Sequence, residues 1–439
     1  MHPDPRRDRL HVGVPRPPLL QARPPLPRVD GRPRRALRAR PRAAGVAKIP
    51  EEEHFRAEVR AFIRDHLPKG ASGDGDLESG FASLPALYKW NQDLLAKGWV
   101  GFNWPKDVGG GGGSLVEQMI LKEEMARQKA PPLGISYMGL AWVGPALIKY
   151  GTDAQKAEHI PPILRGEIQW CTGYSEPGAG SDLASLQCKA VRDGDDYVVN
   201  GQKIWTSLAM WSQWMILLVR TDPNAAKHLG ITCLLVRMDT PGMTVKPIKE
   251  MNGGTMFAEV FFEDVRVPVA NRLGAEGQGW DVTKDALANE RSSIGDVWAL
   301  KHRLEGLKEL ASRCRRRGRR ALDDPGIRQR LARMETQVEA MRLNGLRFLT
   351  KQLRGEALGA ETSINKLIRA RVEIESGRLA RDIEGTYGVL AKKSPHAIDD
   401  GKWQRVMLGW PPYVIGGGTP NIQKNVIAER LLGLPHDAP

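Results

Sequence analysis

Long hydrophobic runs are missing from this sequence. The longest uninterrupted one, Trp214-Met-Ile-Leu-Leu-Val219, falls far short of the roughly 20 residues a membrane-spanning helix requires, which excludes a transmembrane reading. Cysteine is scarce: Cys171, Cys188, Cys233 and Cys314 lie far apart, without CxxC spacing or nearby histidine pairs. Neither a disulfide framework nor a zinc site is suggested, and a reducing cytoplasm is the expected compartment. The glycine run Gly109–Gly113 lacks the lysine that a phosphate-binding loop needs. Five successive glycines are expected to form a flexible connector.

Balanced charge is also missing, but only locally. The formal charge is +14, and residues 1–48 supply most of it with twelve Arg and one Lys against three Asp. The other 391 residues are nearly balanced, so the charge does not indicate a nucleic-acid partner. The same 48 residues contain ten Pro and no apolar segment fit for a secretory signal. They are expected to be a disordered Arg/Pro-rich extension.

What remains has three textures. Residues 49–168 read as helical, with Phe55, Val59, Phe62 and Ile63 at helical spacing. Residues 169–279 read as β, with strands expected at 215–220, 231–236, 243–248 and 258–265. The strongest hairpin signal is Asn200-Gly201, which suits a type I′ turn between Tyr197–Val199 and Gln202–Thr206. Residues 280–439 are helical again. Periodic stretches at 327–354 and 363–390 are suited to antiparallel pairing. The last helix has Thr419 as N-cap and Pro420 at its first position, then Gly433 and Pro435 beyond its end. The α–β–α order, without strand–helix alternation, argues against a doubly wound sheet.

The most informative segment is Cys171-Thr-Gly-Tyr-Ser-Glu-Pro-Gly-Ala-Gly-Ser-Asp182. It sets Ser175 and Ser181 around a Pro-Gly-Ala-Gly turn whose backbone N–H groups are open to an anion or a planar ring. On composition alone it is an ordinary glycine-rich loop. A dinucleotide fingerprint over Gly178, Gly180 and Ala184 is disfavoured by Pro177 and by the strands that follow.

Together with Asn200-Gly-Gln-Lys-Ile-Trp-Thr-Ser207, this segment resembles the signature of the acyl-CoA dehydrogenase family. The likeness continues through Phe261-Phe-Glu-Asp-Val-Arg-Val-Pro268, Glu276-Gly-Gln-Gly-Trp280 and Asn425-Val-Ile-Ala-Glu-Arg-Leu-Leu-Gly-Leu-Pro435. The resemblance implies an α+β multidomain fold: an N-terminal helical domain, a middle β-barrel or sandwich domain and a C-terminal four-helix bundle. It implies FAD as cofactor, with Thr172, Tyr174, Ser175, Gly180, Ser181, Trp205, Thr206, Ser207, Thr419 and Asn421 as contacts. Ser181 and Arg291 are the implied substrate contacts. Its expected partners are an acyl-CoA, an electron-transfer flavoprotein and either a second copy or a homologous subunit.

Many members of the family place the catalytic base, a Glu, directly before Gly-Thr near the C-terminus. Here that position is Gly417, which cannot accept a proton. A minority place the base before an Arg on the first helix of the C-terminal domain, and Asn289-Glu290-Arg291 matches this. Glu290 is therefore the candidate base for removing the α-proton while a β-hydride passes to the flavin. The lost C-terminal Glu also fits a non-catalytic partner subunit, and the fold is shared with flavin oxidases and monooxygenases. Two family segments depart from pattern. Ile383-Glu-Gly-Thr-Tyr-Gly388 stands where Gln-x-x-Gly-Gly is common, and the basic run Arg313–Arg320, expected to be a solvated loop, replaces Arg-x-x-Phe-Gly.

Overall fold

The computed structural model describes residues 50–68, 84–288 and 294–436. The expected disordered extension over residues 1–48, and both Glu290 and Arg291, lie outside the described residues.

Among the described residues, five α-helices form the N-terminal part: α1 (Pro50–His66), α2 (Leu84–Ala96), α3 (Leu115–Arg127), α4 (Gly144–Tyr150) and α5 (Asp153–Arg165). Val59, Phe62 and Ile63, one helical stripe of α1, are buried together with Trp90, Leu94, Leu121 and Met125. A buried Glu124 on α3 holds α1 in register, accepting from Arg56 Nη1 at 2.6 Å and Arg60 Nε at 2.8 Å.

The glycine run is not a flexible connector. All five of its amides are bonded to the preceding loop, including Gly110 N to Pro105 O at 3.0 Å and Gly112 N to Trp104 O at 2.9 Å. The run lies flat on Trp104 and Phe102, and a Cβ on Gly110 would stand 2.4 Å from the Trp104 carbonyl oxygen. Here glycine permits close backbone approach rather than mobility.

The middle part is one sheet built from β1 (Trp170–Gly173), β2 (Lys189–Asp193), β3 (Asp196–Ser207), β4 (Trp214–Arg220), β5 (Ile231–Arg237), β6 (Met243–Ile248), β7 (Phe257–Pro268) and β8 (Arg272–Leu273). The strand order is β6-β7-β3-β2-β4-β5-β8, with β1 parallel to β4. β4 and β5 are buried on both faces. Met215, Leu217 and Val219 join a core enclosed by the strands, whereas Ile216 and Leu218 join the core shared with the N-terminal helices. That double burial explains why β4 reads as an unbroken hydrophobic run.

The strands fall where the sequence places them, but the hairpin does not. β3 runs straight through Asn200-Gly201, and the turn lies upstream at Gly194-Asp195, where Asp193 pairs with Asp196. Asn200-Gly201 instead faces a bulge on β7. Asn200 Nδ2 donates to Asp264 Oδ1 at 2.9 Å and Asp264 N donates to Asn200 Oδ1 at 3.0 Å, fixing Asp264 at φ 50°. Gly201 has φ 148°, and a Cβ there would meet Cys188 within 3 Å. The pair is required by a bulge and a close approach, not by a turn.

After α6 (Gly279–Ala288) comes the C-terminal bundle: α7 (Ile294–Arg313), α8 (Pro325–Leu353), α9 (Thr362–Glu384) and α10 (Lys402–Ile415), closed by the short α11 (Pro420–Val426). Leu300, Leu304 and Leu307 of α7 pack with Leu331, Met334 and Val338 of α8, Val372 and Leu379 of α9, and Trp403 of α10. The basic run forms a small hairpin in which Arg316 pairs with Arg319. It is anchored by Arg313 on Asp399 and Arg320 on Asp323.

One bundle group predicts a pH effect. Glu384, at the end of α9, is buried with one carboxyl oxygen lacking a partner. Burial, then the Asp399 carboxylate, pushes its pKa up to about 7, with Arg313 opposing. A carboxyl raised in the folded state stabilises fully below its ordinary value of 4.5, and that contribution is lost as pH rises through about 7. Glu384→Gln is therefore expected to flatten the fall of the thermal midpoint between pH 5 and 8. Parallel midpoint curves for variant and wild type would contradict this.

Candidate active site

The chemistry-bearing segments converge at the end of β1 and along the second half of β3. β1 delivers Thr172 beside Ile216 of β4 and then leaves the sheet. The loop that follows closes a tight turn in which Glu176 and Ala179 exchange amide–carbonyl bonds of 3.0 Å, leaving Pro177 and Gly178 exposed at its tip. Gly178 and Gly180 have no atom within 4 Å of a would-be Cβ, so packing within the chain does not demand glycine there. Ser181 is exposed, and its neighbour Asp182 ties the loop to Lys227 at 2.5 Å.

β3 is bulged at this loop. Between the Lys203–Val260 and Thr206–Ala258 pairs, β3 has one residue more than β7. The extra residue frees the amide of Ile204, which donates to the Ser175 carbonyl at 2.9 Å. It also turns Trp205 outward. Its indole is 56 % exposed, its φ is 59°, and its only ring neighbour among the described residues is Phe257, edge-on at 6.0 Å. A tryptophan in the left-handed region is strained, and bulges commonly serve to re-aim a side chain.

Alternation then sorts the remaining candidates. Ser207 is half-buried on the outer side with Trp205, whereas Thr206 is completely buried and its hydroxyl has no hydrogen-bond partner. Thr206 therefore faces inward, opposite to Trp205. The Tyr174 side chain also points inward. Its hydroxyl is buried toward Thr283 of α6, its phenol pKa is pushed up by burial, and only its backbone carbonyl reaches β3. The structure therefore ties Ser175 to the β3 segment that carries Trp205 and Ser207, with Thr172 on β1, which packs against β3, and Gly180 and Ser181 on the adjoining loop.

Thr419 and Asn421 are elsewhere, at the C-terminal bundle. The Thr419 hydroxyl accepts from Ile422 N as the N-cap of α11, and Asn421 is exposed. Gly417, at φ 68°, lies in the loop that Lys366 of α9 pins through the carbonyls of Tyr413 and Gly416, at 2.8 and 2.7 Å. Among the described residues, neither Thr419 nor Asn421 has a hydrogen bond to the β1–β3 cluster.

Two residues of the cluster were not singled out from the sequence. Lys203 is completely buried and donates to Glu176 Oε1 at 2.7 Å. The signal was available: Lys203 stands at an inward position of β3, where a charge requires a partner.

The residues fit a flavin. An outward indole, the Ser175 backbone bonded to the adjacent residue of its strand, the half-buried Ser207 and an open glycine turn offer a flat apolar wall with polar groups near it.

Comparison with known proteins gives one consistent picture. Residues 49–167, 171–265 and 277–432 match the family models described as acyl-CoA dehydrogenase N-terminal, middle and C-terminal domains. A Mycobacterium tuberculosis protein named acyl-CoA dehydrogenase IpdE1 is 40% identical, covering 89% of this chain and 100% of its own length. Among solved structures, the Tcur3481-Tcur3483 steroid ACAD aligns with a TM-score of 0.74 at 32% identity, covering 89% of this chain and 99% of that one. The ChsE4-ChsE5 complex from Mycobacterium tuberculosis aligns with a TM-score of 0.74 at 33% identity, covering 90% and 100%.

Proposed function

Because the chain belongs to the acyl-CoA dehydrogenase family, we propose that it is an FAD-dependent enzyme that introduces a double bond beside the carbonyl of an acyl-CoA thioester. The observation that carries the reading is the β3 bulge, which presents Trp205 to the outside while tying its strand to Ser175. In this reading Trp205 forms the wall against the isoalloxazine ring. Ser175 and Ser207 bond to its polar edge, and Thr172 supports them. Gly180 and Ser181 border the thioester, with Arg291 as a further contact to the substrate. Thr419 and Asn421 serve the pyrophosphate or ribose end, where a helix N-terminus suits an anion.

FAD, when bound, supplies the hydride acceptor for the substrate β-carbon. The chain's own part is proton removal and positioning. A thioester α-C–H is weakly acidic, so the base must be held close to it in a site shielded from water. Glu290 takes that role here. The described helix that precedes it in sequence supports the reading: α6 packs Val282 and Ala286 into the core, and Thr283 of the same helix faces Tyr174, the residue before Ser175.

The names of the structural relatives favour a bulky, steroid-like acyl group and assembly with a homologous subunit rather than with a second copy alone. An electron-transfer flavoprotein is the proposed electron acceptor. A cytoplasmic setting suits the four free cysteines, of which Cys171 is pushed up to about 12 and Cys188 to about 11 by burial.

The test is anaerobic titration of the purified, FAD-loaded protein with a panel of straight-chain, branched and steroid-derived acyl-CoA thioesters. Bleaching of the flavin band by the bulky thioesters is the expected result. Protein that takes up no FAD, or flavin that stays oxidised with every thioester, would overturn the proposal. A second reading, a non-catalytic partner subunit, is favoured by Gly417 occupying the usual position of the base. It predicts bleaching only when an active homologue is present.

A further inference from the structure

One carboxylate joins three separate pieces of backbone at the site. Glu176, the residue after Ser175, is buried, and its oxygens accept from the amides of Gln187 at 2.6 Å and Cys188 at 2.8 Å and from Lys203 Nζ at 2.7 Å. The Lys203 ammonium also donates to the Tyr174 carbonyl at 3.1 Å. Both ends of the 174–188 loop are thus fastened to β3, two residues before Trp205. Gly201 completes the fit, since the strand passes so close to Cys188 that a Cβ there would stand within 3 Å of it.

A buried ion pair is a poor source of stability. Its desolvation offsets most of its Coulomb gain, and an apolar pair of similar volume commonly serves as well. Burial, helped by the nearby Arg220 charge, pulls the Lys203 ammonium below the ordinary lysine value despite its bond to Glu176. What an apolar pair cannot do is accept from two amides and donate to a carbonyl at fixed directions, which sets an offset between loop and strand.

We infer that Glu176 and Lys203 are positioning residues whose ion pair fixes Ser175 against the Trp205 bulge, and so sets the seat of the flavin ring. The inference rests on the flavin reading above. Neither side chain is exposed enough to touch a bound ring; both act through the backbone of residues 174–176 and 203–205.

The experiment compares wild type, Glu176→Gln, Lys203→Met and the double variant, each purified with FAD and also stripped of it. Glu176→Gln keeps the side-chain length and an acceptor oxygen, so it tests the clamp even where Lys203→Met fails to fold. FAD affinity by fluorescence titration, the visible flavin spectrum, the flavin midpoint potential and the thermal midpoint of the stripped protein are measured. FAD affinity is expected to fall about tenfold or more in Glu176→Gln, with shifted visible bands and a shifted potential, since displacements of about an ångström at a site have effects of this order. The double variant is expected to regain thermal midpoint relative to Lys203→Met without regaining the wild-type spectrum. A merely structural pair would lower the thermal midpoint and leave affinity, spectrum and potential of the folded protein unchanged. That outcome overturns the inference alone. Wild type that takes up no FAD overturns the flavin reading itself, and the clamp with it.

Discussion

Replacing Glu290 by Gln is expected to slow reduction of the flavin by acyl-CoA about 10³-fold, within the range that a positioned general base contributes. The amide preserves size and polarity but cannot accept the α-proton, so the loss should fall on the rate of the chemical step, with FAD content and thioester affinity close to wild type. Stopped-flow measurement of flavin bleaching under anaerobic conditions gives that rate directly. Undiminished bleaching in Glu290→Gln would remove Glu290 from the mechanism. With Gly417 unable to act, it would then point to a base supplied by another chain. The prediction follows from the proposed role of Glu290, because Gly417 has no side chain that could take the proton instead.

Gly110→Ala is expected to destabilise the N-terminal helical part by about 3 kcal/mol, the upper range for overpacking. The added methyl would stand 2.4 Å from the Trp104 carbonyl oxygen and from its Cβ. Backbone cannot rotate aside as a side-chain tip can, so relief requires moving the 101–106 loop, with its five bonds to the glycine amides and the fully packed Trp104. Gly178→Ala is the matched control, because no atom lies within 4 Å of its would-be Cβ, and it should change stability by less than about 0.5 kcal/mol. Calorimetry of both variants reads the difference. Equal midpoints would mean that the glycine run is loose after all.

The legible features were those carried by local patterns. The helical stripe of α1, the strand positions of β4 to β7 and the capped start of α11 each follow from periodicity, hydrophobicity or a capping residue within a few positions of itself. The misread features all depend on a distant partner. Asn200-Gly201 has the composition of a turn, but Asp264, 64 residues on, provides its hydrogen bonds. Gly109–Gly113 reads as slack until the Trp104 and Phe102 rings beneath it are seen. Thr206 and Ser207 are chemically alike as neighbours, and only the register of β3 against β7 turns one inward and leaves the other outside.

By itself, then, the order of residues determined the α–β–α organisation and the signature segments of the family, because both are written in short-range patterns and motifs. The tertiary structure decided which members of those segments share a face. It tied Ser175 to the strand of Trp205 through a bulge, turned Thr206 and the Tyr174 hydroxyl inward, and left Thr419 and Asn421 at the bundle. It also paired Lys203 with Glu176. The physical reason is the same in each case: a side chain's direction is fixed by strand register and by the long-range hydrogen bonds that satisfy buried backbone and charge, and neither is encoded near the residue it controls.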